Sequence, residues 1–323
     1  MPWEISDFMS HPLWMVSTLV LAAVARAQRR GWWDPRACSV RLTGKTAIVT
    51  GANTGIGKFI ALDFACRGAR VILACRSEAR GMEALREIRQ RSGNQNVHLR
   101  IIDTSSLESV RKFAAQILEE EKELHILINN AGASGLPKEI TADGLELSMA
   151  TNHIGPFLLT SLLLDLLKKS APARIVNVSS TNHRKGEVDF SHFRGENLVY
   201  GMDNAYNHSK LHNVIWTNEL ARRLKGTGVT ANSLHPGIVM TEVMRHYHWI
   251  VRLIFYTIGI FFFKSAQEGA VSTIYCAVAE ETQGITGKYF DSDCSIALPA
   301  PAARDEAIGV KEFEHCERVT SKL

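Results

Sequence analysis

Seven short runs of apolar and β-branched residues recur along this chain, at 47–50, 71–74, 97–102, 126–129, 174–178, 229–234 and 288–290. Between them fall stretches of helical period, at 57–67, 77–91, 106–121, 143–169, 204–225 and 265–279. Strands that alternate with helices in this way are the signature of βαβ units, in which parallel strands are joined by crossover helices. The pattern predicts an α/β fold: a doubly wound parallel sheet of about seven strands, in one domain, with a ligand crevice where the strand order reverses.

Composition agrees with one large domain plus appendages, since 46% of the 323 residues are hydrophobic and 22% charged. The net charge of +4 is spread among acidic residues and not gathered into a basic run. A nucleic-acid partner is therefore not expected. The six cysteines form no CxxC pair and have no histidine at metal-ligand spacing, so reduced structural thiols and no metal are expected. His153, His183, His208, His212 and His235 receive no role on the same ground.

The first residues differ from the rest. From Phe8 to Ala25 there is no Asp, Glu, Lys or Arg, and Arg26, Arg29 and Arg30 follow directly. The run is short for a span of about 20 residues, but Trp3, Trp14, Trp32 and Trp33 suit the two interfaces of a bilayer. A cleaved signal would carry positive charge before the apolar run, where this chain has Glu4 and Asp7. Residues 1–36 are therefore expected to be a membrane anchor and residues 37–323 a catalytic domain on the cytosolic side, by the positive-inside rule. Two N-x-S sequons, at Asn177 and Asn207, fall in a predicted strand and a predicted helix, where glycans would block folding or catalysis. That too favours the cytosol.

The first strand runs into TGANTGIGK, Thr50 to Lys58, where Gly51, Gly55 and Gly57 let the backbone turn sharply and approach a pyrophosphate at a helix N-terminus. Asn53, Thr54 and Ile56 lie in the same loop. Arg76, after the second strand, stands where an acidic residue would read the ribose 2′-hydroxyl of NAD, and arginine instead suits a 2′-phosphate. Asp103, after the third strand, is placed to accept from an adenine amino group or to cap a helix. Asn129, Asn130, Ala131 and Gly132 end the fourth strand on the crevice side. Tyr206 and Lys210, four apart, share a helix face, where an ammonium should favour the phenolate of a tyrosine otherwise too weak an acid at neutral pH. Ser179 and Ser180 end the fifth strand, and one of the two hydroxyls can hold a substrate oxygen. Asn152, in an apolar helical run, is either a satisfied buried amide or the holder of a water that relays protons to Lys210.

Two segments break the rhythm, a polar insert between Ser180 and Tyr206 and a very apolar one within 238–264. Residues 246–263 read as a lid over a greasy substrate, a surface dipping into the bilayer, or core. The long helices at 143–169 and 204–225 are candidates for a homodimer face.

Taken together, Thr50 to Gly57, Asn129 to Gly132, Asn152, Ser180, Tyr206, Lys210 and Pro236-Gly237 resemble the short-chain dehydrogenase/reductase superfamily, with its Rossmann fold, over about residues 42 to 292. RGARVILACRS, NHIGPFLLTSLLL, HSKLHNV and GTGVTANSLHPG look like the membrane-anchored retinol dehydrogenase branch. The resemblance implies NADP(H), a hydrophobic aldehyde or alcohol such as retinal or retinol, and the endoplasmic-reticulum membrane. It picks Ser180 over Ser179 and puts Pro236, Ile238 and Thr241 at the nicotinamide end. It also implies a terminal helix, although Ser321-Lys322-Leu323 reads alternatively as a peroxisomal address. Rival classes are a dinucleotide-binding subunit without activity and a membrane-interaction protein using 246–263.

Overall fold

All seven expected strands form: β1 (Thr46–Thr50), β2 (Arg70–Cys75), β3 (Val97–Ile101), β4 (Ile126–Asn129), β5 (Ala173–Val178), β6 (Val229–Leu234) and β7 (Tyr289–Phe290). The computed structural model describes residues 33–199, 203–239 and 263–321. Within them the sheet order is β3-β2-β1-β4-β5-β6-β7-β8, parallel up to β7. The eighth strand, β8 (Ile296–Ala297), pairs antiparallel with β7 and is an addition to the expected seven. Two residues are too few to carry a periodic signal. The order reverses between β1 and β4, which puts the crevice at their carboxyl ends.

The expected helices appear as α1 (Gly55–Cys66), α2 (Glu78–Ser92), α3 (Leu107–Glu120), α4 (Gly155–Lys169), α5 (Asn204–Arg223) and α6 (Ala266–Val278). Side chains alternate across the strands. Ile48, Ile72, Leu127 and Ile175 join one core with α3, α4 and α5, while Val49, Leu73, Ile128 and Val176 join another with α1, α2 and α6. A seventh helix, α7 (Glu306–Ser321), was implied by the resemblance and not by periodicity; its Phe313 packs edge-on to Phe157 of α4, 5.0 Å between ring centroids. It thereby covers part of α4 and α5, the helices nominated for a dimer face. Truncating one such buried ring costs about 3–5 kcal/mol. A surface ion pair that α7 makes to α5, Arg223–Glu317, is worth less than about 1 kcal/mol, so the buried contacts of α7 outweigh it.

The stretch expected as one helix over 143–169 is broken. After a single turn, Leu147–Met149, comes a π-turn, Ala150–Ile154, and only then α4. Pro156 is the cause: lacking an N–H, it cannot donate to the Asn152 carbonyl four residues back, and Gly155 donates instead to Ala150. Leu147–Lys169 is also the one stretch among the described residues long and apolar enough to cross a membrane, but 72% of its most apolar window is buried in the protein. It is a core helix.

The N-terminal segment up to residue 32, Thr241, residues 246–262 and the final Lys322-Leu323 lie outside the described residues. Trp33, expected in the anchor, packs edge-on to Tyr275 of α6 with ring centroids 5.3 Å apart, so the folded domain reaches back at least that far. The sequon asparagines Asn177 and Asn207 are both buried.

Candidate active site

Above the carboxyl ends of the central strands opens a cleft of about 470 Å³. Its floor begins at the glycine loop. Gly51 (φ +67°) and Gly55 (φ +56°) take left-handed conformations that a side chain would strain, and a Cβ on Gly57 would lie 2.4 Å from the Gly51 carbonyl oxygen. Asn53, Thr54, Gly55 and Ile56 line the cleft, whereas Gly57 serves by letting α1 approach the loop. Helices α2, α3 and α6 start with serine caps at Ser77, Ser106 and Ser265. Helix α1 has neither a side-chain cap nor an acidic residue in its first turn, so its N-terminal amides are left for an anion. Asn130 fastens the neighbouring loop in place: its Nδ2 donates to the Thr50 carbonyl at 2.8 Å, while Thr50 Oγ1 accepts from the Asn130 and Ala131 amides at 3.0 Å.

At one end of the cleft stand Arg76, Ser77, Arg80 and Asp103. The Arg76 guanidinium is more than half exposed and 3.8 Å from the Asp103 carboxylate. Asp103 does not cap α3, a task that falls to Ser106; its Oδ1 accepts from the Ser105 amide and hydroxyl. Arg80, in the first turn of α2, is a second cation that sequence reasoning missed. Its spacing of four from Arg76 was the available signal. The residues present fit a dinucleotide carrying an extra phosphate: a glycine cradle that side chains would fill, an open helix end and a basic rim.

Toward the other end, Tyr206 and Lys210 lie on one face of α5, with the Lys210 Nζ 5.5 Å from the centroid of the Tyr206 ring. Ser180 lines the same cleft and lowers the pKa of the Tyr206 phenol by hydrogen bonding. Ser179 is turned away, donating to the Lys210 main-chain oxygen at 2.7 Å. Lys210 Nζ donates to the Val178 carbonyl at 2.9 Å. Burial pushes the Tyr206 phenol up to about 12, against the Ser180 bond that lowers it, and burial brings the Lys210 amine down to about 8. The expectation of a phenol made more acidic by Lys210 is thus not met in the protein alone, where burial dominates and a neighbouring charge, that of Asp203, raises it further.

Asn152 sits in the π-turn, 1% exposed. Its Oδ1 accepts from the Ala133 amide (2.8 Å), and its Nδ2 donates to the Ala133 carbonyl (2.9 Å) and to Ser209 Oγ (3.1 Å). Of the two readings, these bonds are those of the satisfied buried amide. They also fix the strip beside Lys210, since a Cβ on Gly132 would meet Lys210 Nζ at 3.1 Å and Asn152 Oδ1 at 3.3 Å.

Pro236, Gly237 and Val239 line the cleft near β6, whereas the Ile238 side chain is 58% exposed and does not. Strand-like alternation accounts for this, turning Val239 inward and Ile238 out. Leu136, Pro137 and Leu147 add an apolar lining that no motif pointed to. A second hollow, of about 880 Å³ at the opposite ends of the strands, holds none of the expected site residues.

A family profile described as short chain dehydrogenase matches residues 45–248. The chain is similar to human retinol dehydrogenase 11, at 46% identity over 92% of this chain and 93% of the relative. It is 49% identical to human retinol dehydrogenase 12, over 83% of each chain. Among solved structures, an uncharacterized protein from Mycobacterium paratuberculosis superposes with a TM-score of 0.72 at 29% identity, covering 90% of this chain and 98% of that one. A complex of Pseudomonas aeruginosa RhlG with NADP superposes at 0.62 with 26% identity, covering 79% and 97%.

Proposed function

This chain belongs to the short-chain dehydrogenase family, and on that premise we propose that it is an NADP(H)-dependent oxidoreductase acting on a hydrophobic aldehyde or alcohol of the retinal and retinol type. The observation that carries the chemistry is the meeting of Ser180, Tyr206 and Lys210 inside the glycine-cradled cleft, with the Lys210 Nζ 5.5 Å from the Tyr206 ring centroid. Bound nicotinamide supplies or takes the hydride. Ser180 holds the carbonyl oxygen, and Tyr206 delivers a proton to that oxygen as negative charge develops. Lys210 orients the cofactor end and keeps positive charge near the phenol, and Asn152 holds the Gly132 strip against it. The reverse oxidation uses the same groups.

Arg76 and Arg80 support NADP(H) over NAD(H), because a guanidinium pairs with a 2′-phosphate and gains nothing from a bare hydroxyl. The retinoid class is supported by the named relatives and by the apolar lining at Leu136, Pro137, Leu147 and Val239. Residues 8–25 support anchoring to the endoplasmic-reticulum membrane with the catalytic domain in the cytosol, and residues 246–263 a lid or a second membrane contact. Steady-state kinetics with retinal, a medium-chain aldehyde and a steroid ketone, each with NADPH and NADH, test the whole reading. The expected result is highest kcat/KM for retinal with NADPH, and a cofactor preference that Arg76→Asp moves toward NADH. Absence of turnover on all three, or indifference to Arg76→Asp, would overturn it.

A further inference from the structure

Between the π-turn, α5 and α7 lie four polar side chains that the chemistry above does not use: His153, His212, Glu312 and Cys316, each 0% exposed. Glu312 bridges the two rings, with Oε1 2.8 Å from His153 Nε2 and Oε2 2.6 Å from His212 Nδ1. His315 and Cys316, also on α7, complete the titratable surroundings of His153.

The proton positions follow from the partners. The indole nitrogen of Trp216 can only donate, and it lies 3.2 Å from Asn213 Oδ1, so that oxygen accepts. The Asn213 amide nitrogen then donates to the main-chain oxygen of Asn152, 2.8 Å away, the carbonyl that Pro156 leaves without a helical donor. His153 Nδ1 is 3.1 Å from the same Asn213 oxygen and must donate to it. Its Nε2 faces a carboxylate, which while ionised can only accept. Both ring nitrogens therefore carry protons: burial lowers the His153 pKa, and the Glu312 carboxylate and the Asn213 oxygen, each taking one N–H, work against that burial. His212 donates through Nδ1 to the other oxygen of the same carboxylate, and its Nε2 has no hydrogen-bond partner. The His153–Glu312 pair thus sets one positive charge against one negative charge, which a site sealed from water tolerates better than either alone.

His153 Nε2, Glu312 Oε1 and Cys316 Sγ also lie within 4.8 Å of one another, as metal ligands would. The separation of 2.8 Å between nitrogen and oxygen is that of a hydrogen bond, however, and two ligands of a tetrahedral zinc would stand roughly 3.3 Å apart.

We propose that His153 and Glu312 form a buried imidazolium–carboxylate pair whose work is to position the active site. The pair docks α7 onto the π-turn, and Asn213 extends the hold to the Asn152 backbone. Asn152 is thereby set against Ala133, and the Gly132 strip against Lys210. His153, Glu312 and Asn213 are positioning residues, a role that rests on the oxidoreductase reading above.

The experiment has an arm that needs no turnover. In the full chain, 15N spectra of the His153 ring near pH 7 should show both nitrogens protonated; a neutral His153, or stoichiometric zinc in the purified protein, would overturn the proposal. In the second arm, Glu312→Gln should lower kcat roughly tenfold or more while leaving the NADPH Kd unchanged, at a temperature where the variant is folded. A merely structural role would lower Tm and leave kcat alone, and that result sinks the idea. If Glu312→Gln does not fold, Asn213→Ala must show the same loss of kcat with NADPH binding kept; wild-type kcat there counts against the proposal. A wild-type enzyme that reduces no carbonyl would instead defeat the oxidoreductase reading and leave the spectra to judge the pair.

Discussion

At Tyr206 two influences oppose each other. The Ser180 hydrogen bond lowers the phenol's pKa and burial raises it, with burial the larger, so the group holds its proton up to about 12. Lys210, brought down to about 8 by the same burial, is the group that changes charge in the working range. Carbonyl reduction requires a proton on Tyr206 and is helped by charge on Lys210, so the direction of the pH effect follows. In the NADPH-to-carbonyl direction kcat should be level below about pH 7 and fall as pH rises through about 8, where the ammonium is lost. A kcat profile flat across that interval would remove Lys210 from the chemistry. Tyr206→Phe keeps the ring and deletes only the proton donor. It should abolish turnover while NADPH still binds, as fluorescence titration would report, and retained turnover would refute the role given to the hydroxyl.

Secondary-structure elements differ in how much of them a sequence can announce. The βαβ rhythm was legible because a strand or helix needs only near neighbours to declare its period, and every expected strand formed, as did every expected helix but the one over 143–169, which came in pieces. The glycine loop was legible for a related reason: its backbone shape is set locally, by residues that must lack a Cβ. Gly57→Ala would drive a methyl to 2.4 Å from the Gly51 oxygen, and the loop would have to move. The expected outcome is a large rise in the NADPH Kd with the fold retained by circular dichroism, and normal affinity would show that the cradle is unimportant. The π-turn was hidden in an apolar helical run, although Pro156 signalled that one carbonyl would lack its donor. Asn152 was recognisable as an amide in need of partners, but the partner at Ala133 comes from a loop nineteen residues earlier. The histidine cluster was illegible altogether. His212 meets Glu312 across 100 residues and His153 meets Cys316 across 163, so no spacing rule could find them.

On the scale of the whole molecule, the cleft lies at one end of the sheet and the N-terminal segment joins the domain some way from it. The start of α6 is near the cleft, where Gly269 packs against Val239 and Ile56, while Trp33 rests on Tyr275, six residues and about 9 Å further along the helix. Removing residues 1–32 should therefore release the protein from membranes and spare turnover of a small soluble aldehyde. Fractionation together with kinetics tests this, and persistence in the membrane fraction would shift the anchoring role to residues 246–263. The placement of α7 has a consequence for how the enzyme comes into being. During translation Asn152, Ser180, Tyr206 and Lys210 all leave the ribosome well before Glu312 does. A nascent chain already equipped with every reacting side chain would still hold an unmatched imidazole beneath its active site, and would fall silent again in any message whose reading stops short of that glutamate.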